Sequence, residues 1–96
     1  MLILVSYDVS TKTPEGEKRL RRVAQVCKDF GQRVQKSVFE CSVSEMQYEE
    51  LTRQLVQCID EGEDSIRFYR LVEPRDRYIK AYGVNRDVDF DAPLIF

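Results

Sequence analysis

Asp8 is the residue of this chain best placed to do chemistry. It follows Leu2-Ile3-Leu4-Val5, an unbroken apolar run that reads as a strand buried on both faces. It precedes Val9-Ser10-Thr11-Lys12-Thr13, which reads as a loop. Side chains at the carboxyl end of a central strand meet the loops, and ligand and metal sites collect there. A carboxylate in that place, followed by Lys18, Arg19, Arg21 and Arg22, points to phosphate chemistry: an acid for a divalent cation, guanidinium groups for phosphate oxygens. One carboxylate holds Mg²⁺ weakly, because the ion wants several oxygen ligands. A metal site at Asp8 would therefore take its second carboxylate from a second copy of the chain. The sequence has no histidine, which excludes Ser-His-Asp and Cys-His catalysis, histidine bases and ordinary zinc sites. Carboxylates, tyrosine, lysine, arginine and metal-bound water remain.

The balance of charge supports that reading in its pattern and opposes it in its total. The net charge is −2. Between Lys12 and Lys36, however, eight basic residues face three acids, a local +5, while between Ser37 and Asp64 eight acids face Arg53 alone, a local −7. A nucleic acid meets the first segment and not the average. Ninety-six residues make one domain, 1–96, close to the smallest size that a single core supports. No apolar run approaches the ~20 residues that span a bilayer, and MLILVSYD has no basic leader or cleavage pattern, so no membrane partner and a cytoplasmic location are expected. Three widely spaced cysteines, Cys27, Cys41 and Cys58, form no CxxC; Cys27 and Cys58 fall on predicted apolar helix faces and read as small reduced hydrophobes.

The elements that must position Asp8 follow from periodicity and punctuation. A first helix is predicted from the N-cap Thr13 and Pro14, with a stripe of Leu20, Val23, Ala24, Cys27 and Phe30, and with Gly31 closing it as the C′ residue. Arg33 to Val43 is β-rich but breaks near Lys36-Ser37, as a bulge or as two short strands. Ser44 and Gln47 form a capping box for a second helix with the stripe Tyr48, Leu51, Leu55, Cys58 and Ile59, ended by Gly62. Asp64 to Val72 reads as a strand, Glu73 to Arg77 as a charged connection and Tyr78 to Gly83 as a further strand. The segment 87–96, with its apolar end Leu94-Ile95-Phe96, is expected to dock as a C-terminal strand or tail on the dimer or on a partner. The order β-α-β-(β)-α-β with an extra C-terminal strand is that of an α+β, ferredoxin-like sandwich, an antiparallel sheet with two helices on one face. The uncovered face predicts a homodimer.

On these residues the chain resembles the second CRISPR-associated (Cas) protein family, described as small metal-dependent endoribonucleases and spacer-acquisition subunits. The likeness rests on the first strand ending in Tyr7-Asp8, the helix with Arg19 and Arg22, the segment RVQKSVFE from Arg33 to Glu40, the strand DSIRFYRL and the late tail. It covers nearly the whole chain. Two positions depart from the pattern: Val9 stands where isoleucine is common, and Lys36 where an aromatic often sits. The resemblance implies a homodimer with two Asp8 carboxylates facing each other around Mg²⁺. It also implies that the dimer is clamped between integrase dimers in a complex that captures duplex DNA for insertion into a CRISPR array.

Under that resemblance Asp8 is the metal-binding and catalytic residue, and Tyr7 orients water or a phosphate beside it. Arg19, Arg22 and Arg33 hold flanking phosphates, and Ser37 and Phe39 line the approach, Phe39 by stacking on a base. Packing is an equal reading for Tyr7 and Phe39, and a solvated helix face is the bland reading of the arginines. Two functions compete: a Mg²⁺-dependent endonuclease acting on RNA or duplex DNA, and a catalytically inactive subunit that grips DNA. A related RNase toxin is a third. A small-ligand regulatory module or an RNA-recognition motif fits less well, since the loop Val9 to Gly16 has one glycine and the K/R-G-F/Y-G/A-F-V signature is missing.

Overall fold

The computed structural model describes residues 1–84; the expected tail, 87–96, lies outside the described residues. The chain runs β1 (Leu2–Asp8), α1 (Pro14–Phe30), β2 (Gln32–Gln35), β3 (Val38–Ser42), α2 (Glu45–Cys58), β4 (Ser65–Leu71) and α3 (Arg75–Tyr78). The four strands form one sheet in the order β2-β3-β1-β4, every pair antiparallel. This is the α+β, ferredoxin-like arrangement expected from the sequence, with β1 held on both edges.

Alternation decides which side chains of β1 meet the helices. Ile3, Val5 and Tyr7 point to one face and are buried with Phe39 and Cys41 of β3, Val23 and Cys27 of α1, and Leu51 and Leu55 of α2. Leu4, Ser6 and Asp8 point the other way, and Leu4 is only half buried, so the strand is not sealed on both faces within one chain. The caps are as expected. The Thr13 hydroxyl accepts from the Gly16 amide at 3.1 Å, and Ser44 and Gln47 exchange hydrogen bonds at 2.8 and 3.2 Å. The break near Lys36-Ser37 is a two-residue turn between two strands, and β2 also carries a register shift between Arg33 and Gln35.

Two expectations need correction and one a refinement. Gly31 closes α1, its amide donating to the Cys27 carbonyl at 2.9 Å, with φ −163°, extended backbone open to any residue and not the left-handed conformation. A side chain there would overlap the Glu40 carbonyl and Cys41, so close approach of the helix end to β3 is what excludes one. Gly62 does not end α2, which stops at Cys58; its amide instead donates to Asp60 at 2.9 Å in the following turn. Tyr78 to Gly83 is not a strand. Residues 75–78 make one helical turn, because Arg75 is drawn back over the sheet to the buried Glu40 of β3, which directs the chain away from the open edge of β4. Tyr78 and Tyr82 are both exposed.

The α2–β4 connection is closed by a buried acid. Asp64 accepts from Arg19 Nε at 2.7 Å and Nη2 at 3.2 Å, from the Ser10 amide at 3.0 Å and from the Asp60 amide at 2.9 Å. The Arg19 guanidinium, ahead of the two amides, holds the Asp64 carboxyl at a pKa of about 2 against an ordinary 3.8. A lowered folded-state pKa stabilises the fold above the unfolded value, and that stability drains as pH falls from about 4 toward 2. Melting followed from pH 6 to pH 2.5 should therefore fall more steeply for the native chain than for Asp64→Ala. That variant loses about 3 kcal/mol at neutral pH, because it strands a partly buried guanidinium and two amides. Parallel pH profiles would refute the assignment.

Candidate nucleic-acid interface

β1 delivers Asp8 to the rim of a groove. Asp8 is its last ladder residue, paired with Ser65 of β4, and its side chain is exposed. The groove has a volume of about 450 Å³ and is lined by Tyr7, Asp8, Arg21, Arg33, Lys36 and Ser37, with Val9, Leu20 and Ala24 as its apolar part. Three segments form it: the end of β1 with Val9, the middle of α1, and β2 with the turn that follows it. The turn is fastened to the strand by the Tyr7 amide, which donates to the Ser37 carbonyl at 3.1 Å.

The groove's electrostatics are one-sided, with three cations and one carboxylate around it. Arg33 stands opposite Phe39 in the β2–β3 ladder, its Cζ 5.1 Å from the ring centroid. Its Nε is buried and has no hydrogen-bond partner among the described residues, an orphaned donor of the kind an anion would satisfy. Tyr7 stacks on Phe39 with ring centroids 6.2 Å apart. Burial raises the Tyr7 hydroxyl pKa, the nearby Arg33 side chain acting against it, so the phenol stays protonated at neutral pH. It can donate a hydrogen bond but is no base there.

The residues singled out in the sequence are brought together in part. Tyr7, Asp8, Arg33 and Ser37 share the groove. Arg22 is exposed on α1 but does not line it. Arg19 is turned to Asp64, so its guanidinium is spent on an internal ion pair and not offered to phosphate. Phe39 has no exposed surface; in this chain it packs under Tyr7 and Arg33 and has no face free for a base. Of the groove's other two cations, Arg21 was named in the sequence among the basic residues of the first helix, and Lys36 was not read as a phosphate ligand. Arg21 shares a helix face with Leu20 and Ala24, a spacing legible in advance, whereas Lys36 is placed by the turn, whose geometry the sequence left open.

Mg²⁺ fits this donor set in kind and only partly in number. Asp8 offers hard carboxylate oxygens at an exposed rim, but among the described residues no group of three or more histidine, cysteine or acidic side chains forms a metal cluster. Mg²⁺ is commonly held by one or two carboxylates with water and substrate phosphates, so a single Asp8 per chain suits a shared or substrate-completed site. Among the described residues no helix is long and apolar enough to cross a membrane.

Known proteins are similar to this chain in sequence and in fold. Residues 1–79 match the family model for CRISPR associated protein Cas2. The chain is 68% identical over 95 residues to CRISPR-associated endoribonuclease Cas2 1 of Moorella thermoacetica, covering 99% of both chains. It is 46% identical over 96 residues to CRISPR-associated endonuclease Cas2 of Halalkalibacterium halodurans, covering all of both. Among solved structures, Streptococcus pyogenes Cas2 at pH 6.5 superposes with a TM-score of 0.78 and 53% identity, over 86% of this chain and all of that one. The groove with Asp8 at its rim lies within the matched residues, and the chain belongs to the CRISPR-associated Cas2 family.

Proposed function

We propose that this chain is a CRISPR-system endoribonuclease that works as a homodimer, cleaving phosphodiester bonds with Mg²⁺ at paired Asp8 carboxylates. The observation that carries the reading is the exposed Asp8 beside Arg21, Arg33 and Lys36, an acid for a cation next to three cations for phosphates. The endoribonuclease and endonuclease names of the relatives support it.

The chain's own groups divide the work. Asp8 would hold the cation, whose contribution when bound is Lewis acidity at a phosphoryl oxygen. Arg33 and Arg21 pair with phosphate oxygens through planar guanidinium groups, while Lys36 adds a mobile point charge from the turn. Tyr7 donates its phenolic proton as a hydrogen bond and keeps it. The sheet face bearing Leu4, Ser6 and Asp8, which α1 and α2 leave uncovered, is the surface through which a second copy would bring its own Asp8 near.

A second reading keeps the dimer and makes it a non-catalytic subunit that grips duplex DNA between integrase dimers. It is favoured by the exposed basic residues Lys18, Arg21, Arg22 and Lys28 on α1, which with 17 residues is about 25 Å long. Cleavage of labelled single-stranded RNA and duplex DNA, in Mg²⁺ or EDTA, separates the two. Asp8→Ala should lower metal-dependent cutting by about 100-fold while leaving the fold intact, since the side chain is exposed. Undiminished cutting by Asp8→Ala would end the metal assignment, and duplex binding without cutting by the native chain would select the second reading.

The groove cations make a separate claim. Replacing both Arg21 and Lys36 by alanine should weaken single-stranded RNA binding and flatten its salt dependence by about 1.4 in log–log slope, two phosphate contacts' worth. An unaltered slope would return both residues to the solvated surface.

A further inference from the structure

Asp64 takes no part in the groove, yet it holds the backbone on both sides of Asp8. Its side chain is wholly buried, and its four hydrogen bonds reach three segments: the loop after β1 through the Ser10 amide, α1 through Arg19, and the α2–β4 turn through the Asp60 amide. Ser65, the next residue, is the ladder partner of Asp8, and Ser10 lies two residues beyond it. One carboxylate thus fixes both the strand that Asp8 pairs with and the chain that leaves it. Gly16 tightens the same spot, since a side chain there would overlap the Ser10 carbonyl. Among the described residues no hydrogen bond orients the Asp8 carboxylate itself, so its direction is inherited from this backbone.

We infer that Asp64, with Arg19 as its counter-ion, is a positioning residue for Asp8. The inference rests on the proposed cation-binding role of Asp8 for its consequence, but the clasp is a statement about the chain alone. Second-layer groups that orient a metal ligand are worth about 10-fold or more in metal affinity. The acid read from the sequence as the start of a strand becomes the anchor of the candidate site, and the arginine read as a phosphate ligand becomes its partner.

The test titrates Mn²⁺ as the probe into the intact native chain, Asp8→Ala and Asp64→Asn, well below their melting transitions. It is paired with amide hydrogen exchange and with RNA binding in EDTA. Asp64→Asn should raise the half-saturating Mn²⁺ concentration about 10-fold, leave RNA binding in EDTA unchanged, and speed exchange of the Ser10 amide about 10-fold. A merely structural residue would lower the melting temperature without moving the Mn²⁺ midpoint. Arg19→Lys, which keeps the charge and loses the planar fork, should move both readouts in the same direction and serves if Asp64→Asn does not fold. An unchanged Ser10 exchange rate, or a faster one with an unchanged Mn²⁺ midpoint, would overturn the inference. If Asp8→Ala binds Mn²⁺ as the native chain does, the metal reading is what fails, and the Ser10 exchange rate then decides the clasp.

Discussion

A four-stranded sheet has two faces, and in this chain α1 and α2 cover one of them. The core is built on that side, from Ile3, Val5, Tyr7, Phe39, Val23, Leu51 and Leu55. The other side keeps Leu4, Ser6 and Asp8 of β1 next to Tyr69, Arg67 and Ser65 of β4, their respective ladder partners, with Arg67 donating to the Tyr69 hydroxyl at 3.0 Å. Because β1 alternates, the residue that ends it on the uncovered side is Asp8, while its neighbour Tyr7 is pulled into the core. The reactive acid and its aromatic neighbour are thus sorted by one strand's pleat. α3 folds back over the uncovered side at Glu40, trimming it without closing it.

Local signals in the sequence were enough for the framework. Thr13 with Pro14, and Ser44 with Gln47, start helices where their cap chemistry says they must. The apolar stripes of α1 and α2 are the faces found buried. Those signals act within one turn or one ladder step, so no distant partner is needed to read them. What was not legible depends on residues far apart in sequence. Arg19 and Asp64 are 45 residues apart, and nothing in the arginine's helical position tells a phosphate ligand from half of an ion pair. Phe39 sits on β3, after a neighbouring strand whose register shifts between Arg33 and Gln35, so its inward direction emerged only with the pairing. Tyr78 to Gly83 was read as a strand and forms none: strand propensity is a fit to a pleated, half-buried surface, and Tyr78 and Tyr82 stay exposed.

The charge pattern resolves in the same way. The eight basic residues from Lys12 to Lys36 do not act as a uniform patch: Arg19 is neutralised internally, Arg21, Arg33 and Lys36 converge on the groove, and Arg22 faces solvent. On α2 the acids behave locally, Glu50 bonding to Arg53 and Gln54 on its own helix, with its carboxyl held below the usual range mainly by the arginine. A chain of modest net charge can hold a focused positive site because its ion pairs are placed away from that site.

The cysteines give the core a chemical clock. Cys27 of α1 and Cys41 of β3 have no exposed surface, and burial pushes both thiols up to about 12. At pH 8 the thiolate fraction of each is on the order of one part in ten thousand, so an alkylating reagent meets a reactive sulfur only when α1 lifts from β3. Cys58, half buried at the end of α2, gives a reference rate in the same molecule. The ratio of the rates measures how often the layer beneath Tyr7 opens, without a label, a tag or an added chromophore.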